Sequence, residues 1–313
     1  VIFGKLKSLG VLGMNSRIGD FMLPHNRRKD YPKVDDKVVT AELAALHGVP
    51  MPDNYRVFES IGDLRGLGDT LSTHDSFVVK PARGSKGNGI IVITGRLDGG
   101  FVRAGGRTTS LRYLRYHMAQ ILGGLYSLNG YPDRAIVQYM IRMHPVFNDI
   151  SVNGVPDIRV IVFKGFPVMA MTRLPTRESG GRANLHQGAL GVGIDLARGI
   201  TTHCTHHNRI ITHHPDTARP LAGIALPGWK EMLLMAVKGY ELSGLGYLGV
   251  DIALDRDRGP MVLEMNARPG LAIQLANLTG LKKRLLPFAD MDPAGMEPAE
   301  RVEKALEIID RGE

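Results

Sequence analysis

The stretch "YLGVDIALDRDRGPMVLEMN", Tyr247 to Asn266, constrains the chain more than any other. Two apolar runs flank a polar, Gly-containing turn, which is the pattern of a β-hairpin. If the turn centres near Asp257 or Arg258, the numbers of paired residues sum to about 515, which sets Asp251 opposite Glu264. Residues two apart on a strand share a face, so Asn266 joins them. A solvated sheet face would also carry such residues, but here the neighbours are mostly apolar, and burying two unpaired carboxylates is costly. Two carboxylates and an amide suit a hard cation, Mg²⁺, held against the phosphates of a nucleotide. Asp251, Glu264 and Asn266 are therefore the candidate metal ligands, for one or two Mg²⁺ ions with Mn²⁺ as the alternative.

The remaining pattern sets strands joined by short turns, with helices between groups of them, and argues α+β over a doubly wound parallel sheet. "DDKVVTAELAALHGVPMP" reads as a helix with Asp35 or Asp36 as N-cap and Gly48 as its stop. "SFVVKPARGSKGNGIIVI" reads as strand, Gly-rich loop, strand. Ser110 caps a helix expected to run through Leu125, and "RAIVQYMI" is a buried strand. "DIRVIVFKG" and "FPVMAMTRL" pair across Gly165. The polar tract from Pro175 to Pro220 is either a functional loop or a set of short strands. "WKEMLLMAVKGYEL" and Ala299 to Arg311 close the chain as amphipathic helices.

Three further constellations bear chemistry. "KPARGSKGNGI" departs from the P-loop because Ile90 stands where Lys is required; as a hairpin loop it can close over phosphates through backbone N–H groups and Lys86. Arg173, Arg177 and Arg182, with Asn184 beyond them, offer the guanidiniums that an acyl-phosphate intermediate or tetrahedral adduct requires, the alternative being a coil that is merely polar. "HCTHHNRIITHHPDT" is rich in histidine, which invites zinc, but lacks the spacing of a zinc finger; it reads first as a surface loop, then as an acceptor-binding loop, with a metal site the least favoured alternative.

Composition narrows the rest. No apolar run approaches the roughly 18 residues that span a bilayer, and the single cysteine, Cys204, cannot form an internal disulfide, which fits a cytoplasmic setting. A net charge of +8 favours anionic partners, yet the basic residues are scattered and no basic stripe with interleaved aromatics marks a nucleic-acid binder.

Taken in order, "VDDK", the Lys80 strand end before "GSKGNG", "GVPDIR", "RLPTR", "ANLHQGA", "GYLGVDI" and "NARPGLAIQLAN" resemble the ATP-grasp carboxylate–amine ligases, nearest to the RimK-related alpha-L-glutamate ligase-like proteins. The resemblance covers about Asn15 to Leu286. It implies an ATP-grasp fold: two α+β lobes with largely antiparallel sheets sandwiching ATP. The expected layout is an arm at 1–34 in place of the usual preceding domain of about 100 residues, an N-lobe at 35–137, a C-lobe at 138–290 and a terminal helix at 291–313. Lys37 and Lys80 would reach the phosphates under a lid formed by Gly84, Ser85, Lys86, Gly87 and Gly89. Gln138, Tyr139 and Met140 would meet adenine, Asp157 the ribose, and Arg182 with Asn184 the nucleotide and metal. Arg173 would stabilise an acyl phosphate, and Arg268 would meet substrate. Two departures stand out: the hinge lacks the usual acidic residue, and the join "MIRMHPVFNDISVNGVPD" is long. The implied activity joins a carboxylate to an amine (amino acid, peptide or protein tail), glutamate being the implied addition. The competing expectation is a non-catalytic nucleotide-binding module that docks a partner through the arm and the histidine-rich loop. An oligomer is compatible with either.

Overall fold

The computed structural model describes residues 6–84, 87–127 and 130–311. The chain is α+β, with two antiparallel sheets in two compact units. The smaller unit takes residues 36–38 and 52–141, and the larger takes 1–35, 39–51 and 142–313. Among the described residues no helix is long and apolar enough to cross a membrane.

In the smaller unit, β1 (Asn54–Phe58), β2 (Phe77–Pro81), β3 (Ile91–Leu97), β4 (Gly100–Arg103), β5 (Thr108–Thr109) and β6 (Ala135–Gln138) form a sheet in the order β1-β6-β2-β3-β4-β5. The fully buried run Ala135–Gln138 lies between β1 and β2, as its largely apolar character requires. A helix, Leu111–Leu122, covers this sheet through Leu114, Met118 and Ile121, which share a core with Phe58, Phe77 and Ile91. Ser110 caps it, its hydroxyl accepting the Tyr113 N–H at 3.2 Å. The helix ends at Leu122, short of the expected Leu125, because Gly123 takes the C-cap.

In the larger unit, β7 (Asp157–Phe163), β8 (Phe166–Leu174), β9 (Leu190–Asp195), β10 (Ile200–His206), β11 (Arg209–Ile211), β12 (Tyr247–Asp255) and β13 (Gly259–Asn266) follow the order β11-β10-β9-β8-β7-β12-β13. The Pro175–Pro220 tract thus supplies short strands that extend the sheet. The β7–β8 turn is Lys164–Gly165, both left-handed at φ 50° and 80°, the backbone a two-residue hairpin turn needs. One face is apolar: helix Trp229–Ser243 lays Gly239 against Leu248, Val250 and Met265, close enough that an added Cβ would sit 3.1 Å from Leu248. The terminal helix, Pro298–Arg311, buries Val302, Ala305 and Ile309. Asn26 ties the start of the chain to β12, donating to the Tyr247 carbonyl at 2.7 Å and accepting the Tyr247 N–H at 2.8 Å.

Candidate active site

The hairpin register is the first determinant of the site. Asp255 pairs with Gly259, so the turn alone would set Asp251 opposite Leu263 and turn Glu264 to the other face. A β-bulge between Asp251 and Ile252 absorbs one residue of β13, so that Asp251 pairs with Glu264 and Gly249 with Asn266. Bulges re-aim side chains in this way. Asp251, Glu264 and Asn266 therefore share the face opposite Leu248 and Val250.

The same face collects charges from the neighbouring strands. Asp251 pairs with Arg159 of β7, and Asp157, two residues earlier, pairs with Arg173 of β8. Arg159 grips Asp251 with two nitrogens, Nε to Oδ1 at 2.7 Å and Nη2 to Oδ2 at 2.6 Å. Arg173 binds Asp157 through Nε at 2.6 Å and Nη2 at 2.5 Å, and Nη2 also reaches Asp251 Oδ2 at 2.7 Å. Bidentate guanidinium–carboxylate pairs of this kind are strong and fix both partners. Arg159 was not expected at the site; its signal was the two-residue spacing from Asp157 in "DIRV". Asp157 itself is committed to Arg173.

Electrostatics separate the two aspartates. Burial works to raise Asp251, but Arg159 and Arg173 outweigh it and hold the carboxyl at about 2. Burial, with the Asp251 charge beside it, lifts Asp157 to about 6 against the pull of Arg173. Arg173 stays protonated despite its own burial because Asp157 and Asp251 flank it. Of the two aspartates, Asp157 is therefore the one that takes up a proton first as the pH falls. Its folded value lies above the ordinary 3.8, so the stability it contributes is complete below about pH 4 and is lost as pH rises through about 6. Asp251 has the opposite sign, its contribution being lost only as pH falls from about 4 towards 2. Urea unfolding is expected to show stability falling between about pH 4 and 7 through Asp157, and Asp157→Asn is expected to remove that part of the slope. An identical slope in the variant would refute the assignment.

The other expected residues are placed as follows. Asn266 Oδ1 accepts the Arg268 N–H at 2.8 Å, and the exposed Arg268 guanidinium stacks over Tyr31 at 4.5 Å. Arg182 is exposed and Asn184 half-buried on the loop after β8, where Asn184 Oδ1 caps the His186 N–H at 3.0 Å. In the smaller unit, Lys80 is buried near the end of β2. The Lys37 ammonium donates to the Gly84 carbonyl at 2.9 Å, which brings it to the Gly-rich loop. Gly87 and Gly89 are both left-handed, at φ 75° and 76°, and an added Cβ on Gly89 would strike Tyr126 at 2.6 Å, so only glycine fits there. Ser85 and Lys86 lie outside the described residues. The Gln138 amide nitrogen donates to Asn54 Oδ1 at 2.8 Å. The Tyr139 N–H donates to the Asp53 carbonyl at 2.8 Å, so that donor is used within its own unit. Met140 is half-buried beside it.

Over residues 16–289 the chain matches the family model described as sugar-transfer associated ATP-grasp. It is a member of the ATP-grasp family. Among solved structures, this ATP-grasp chain is similar to the ATP-grasp ligase PsnB complexed with minimal precursor, at 15% identity over 84% of this chain and 63% of that one, with a TM-score of 0.43. It is similar to a RimK domain ATP-grasp protein from Sphaerobacter thermophilus DSM 20745, at 12% identity over 84% of this chain and 70% of that one, with a TM-score of 0.47. It is also similar to the D-alanine–D-alanine ligase of Bacillus anthracis, at 14% identity over 90% of this chain and 69% of that one, with a TM-score of 0.44. The ATP-grasp chain spans less than two thirds of the length of PsnB. No curated protein matches it.

Proposed function

We propose that the chain is an ATP-dependent carboxylate–amine ligase. A substrate carboxylate attacks the γ-phosphate of ATP, ADP leaves, and an amine then displaces phosphate from the acyl phosphate to form an amide, losing a proton. The observation that carries this reading is the charged face of the larger sheet, where Asp157, Asp251 and Glu264 share one surface with Arg159 and Arg173. Carboxylate and amide oxygens gathered on one face, from Asp251, Glu264 and Asn266, are a donor set that fits a hard divalent cation.

Glu264 and Asn266, both half-buried, would hold Mg²⁺ with Asp251 behind them. The oxygens of Asp251 are engaged by Arg159 and Arg173, so its own ligation requires Arg173 to shift its hold. When bound, Mg²⁺ would supply neutralisation of phosphate charge. Arg173, held by Asp157, stabilises the negative charge of the acyl phosphate without needing a change of protonation. Lys37, Lys80 and the Gly84–Gly89 loop, Ser85 and Lys86 included, bind the phosphates. Gln138, Tyr139 and Met140 contact adenine, and Arg182 and Asn184 contact the nucleotide from the loop after β8. Arg268 orients the acceptor. Catalysis of this kind rests on positioning and electrostatics, with no covalent protein nucleophile.

For substrates, an amino acid such as glutamate is the amine we favour. The family's description also makes a sugar-linked acceptor a candidate. The test is ADP release by the purified protein with Mg·ATP and a panel of carboxylates and amines, followed by mass spectrometry of the products. Carboxylate-dependent ADP release with an amide product is expected. Normal ATP binding with no ADP from any pair would refute the ligase reading.

A further inference from the structure

Away from the charged sheet face, a second cluster of metal-ligating side chains stands in the larger unit: Glu178, His206 and His207, whose ligand atoms all lie within 4.8 Å of one another. The sequence hides it, because the histidine tract lacks finger spacing and the carboxylate comes from a loop 29 residues before His207. The sheet order brings them together. Glu178 follows β8, while His206 closes β10 and His207 opens the turn to β11.

Each part is held in place by the backbone. His207 and Asn208 are both left-handed, at φ 47° and 62°, which makes a tight two-residue turn. The two imidazoles stand side by side with centroids 4.2 Å apart. The Glu178 loop is pinned at both sides: Thr176 and Ser179 exchange hydrogen bonds at 3.0 Å, and the Arg177 N–H donates to Asp216 at 2.8 Å. Gly188 packs flush on the carboxylate, so that an added Cβ would lie 2.7 Å from Glu178 Cδ.

The polar accounting points to a missing partner. His207 Nε2 meets Glu178 Oε1 at 2.8 Å in a hydrogen bond. His206 Nε2 lies 3.2 Å from the other oxygen, but the atom is buried and makes no hydrogen bond among the described residues. Leaving a buried imidazole nitrogen unsatisfied is unfavourable. A cation between the two rings and the carboxylate would satisfy it.

We propose that Glu178, His206 and His207 bind a divalent transition metal of the zinc class, at a site separate from the residues assigned to Mg·ATP. Two imidazoles and one carboxylate are a borderline nitrogen–oxygen donor set, suited to zinc with a fourth position left to water, and unsuited to magnesium or calcium, which prefer oxygen throughout. Half-exposed Glu178 and His207 give the ion a route from solvent. Bound there, it would clamp the loop that carries Arg182 and Asn184 to the β10–β11 turn.

The test uses the chelator-treated protein with Mg²⁺ in excess, so that all-oxygen sites are filled. Titration with Co²⁺ is followed by visible absorption, and displacement of cobalt by added Zn²⁺ is then followed by calorimetry. A saturable cobalt spectrum and displacement by Zn²⁺ are expected. His207→Gln and Glu178→Gln are each expected to weaken binding by more than about tenfold, the lower end of what even outer-sphere partners of a metal contribute. His203→Gln, an exposed histidine of β10 outside the cluster, is expected to leave binding unchanged. Circular dichroism checks that each variant folds. No saturable cobalt spectrum, or binding indifferent to both His207→Gln and Glu178→Gln, would overturn the site, and neither result bears on ADP release.

Discussion

Glu264→Ala is expected to reduce ligase turnover by about a thousandfold or more, the kinetic equivalent of several kcal/mol of metal-dependent charge stabilisation. The argument is one of position. Asp251 is fully buried and its oxygens are taken by two guanidiniums, whereas Glu264 lies opposite it, only half-buried, on the same face as Asn266. Among Asp157, Asp251 and Glu264, it is Glu264 that an incoming cation can reach from solvent. Its removal should weaken Mg·ATP far more than ATP in the presence of a chelator, which calorimetry can compare directly. Glu264→Gln keeps the shape and removes the charge, so it should share the kinetic loss while unfolding at nearly the wild-type temperature. Unchanged turnover in Glu264→Ala would remove the metal assignment and leave the charged face a structural feature.

How legible this was in the sequence depended on the range of the interaction. The pairing of Asp251 with Glu264 followed from a local hairpin, although the sequence did not announce the bulge that makes it hold. Asp157 and Arg173 were each picked out singly. Their bidentate pairing depends on the β7–β8 register, and the grip of Arg159 on Asp251 depends on β7 lying beside β12, the two residues being 92 positions apart. β9 and β10 were ambiguous because "LGVGID" is Gly-rich and "ITTHCTH" polar, and their strand character comes from the ladder built onto β8. The Glu178 cluster was illegible for the same reason: no local pattern joins β8's exit loop to the β10–β11 turn.

The two arginines of the charged face should separate in experiment, although the same face holds both. Arg159 and Asp251 are almost wholly buried, and a buried pair broken by removing one partner costs about 3–5 kcal/mol, because the survivor keeps a charge with no counter-charge. Arg159→Met is therefore expected to lower unfolding stability by about that amount, read from urea denaturation with the slope unchanged. Asp251→Asn should cost less, since the amide keeps the shape and one acceptor for Arg159. The double variant Arg159→Met with Asp251→Leu should recover much of the loss, as apolar replacement of a buried pair often does. It should remain inactive, because Arg173 then loses one of its two anchors. Arg173→Lys is expected to act in the other direction. A lysine keeps the charge beside Asp157 but cannot make the bidentate contact, so stability should fall little while turnover falls steeply through lost orientation. If Arg159→Met proved as stable as the wild type, the ion pair would contribute nothing to holding β7 against β12.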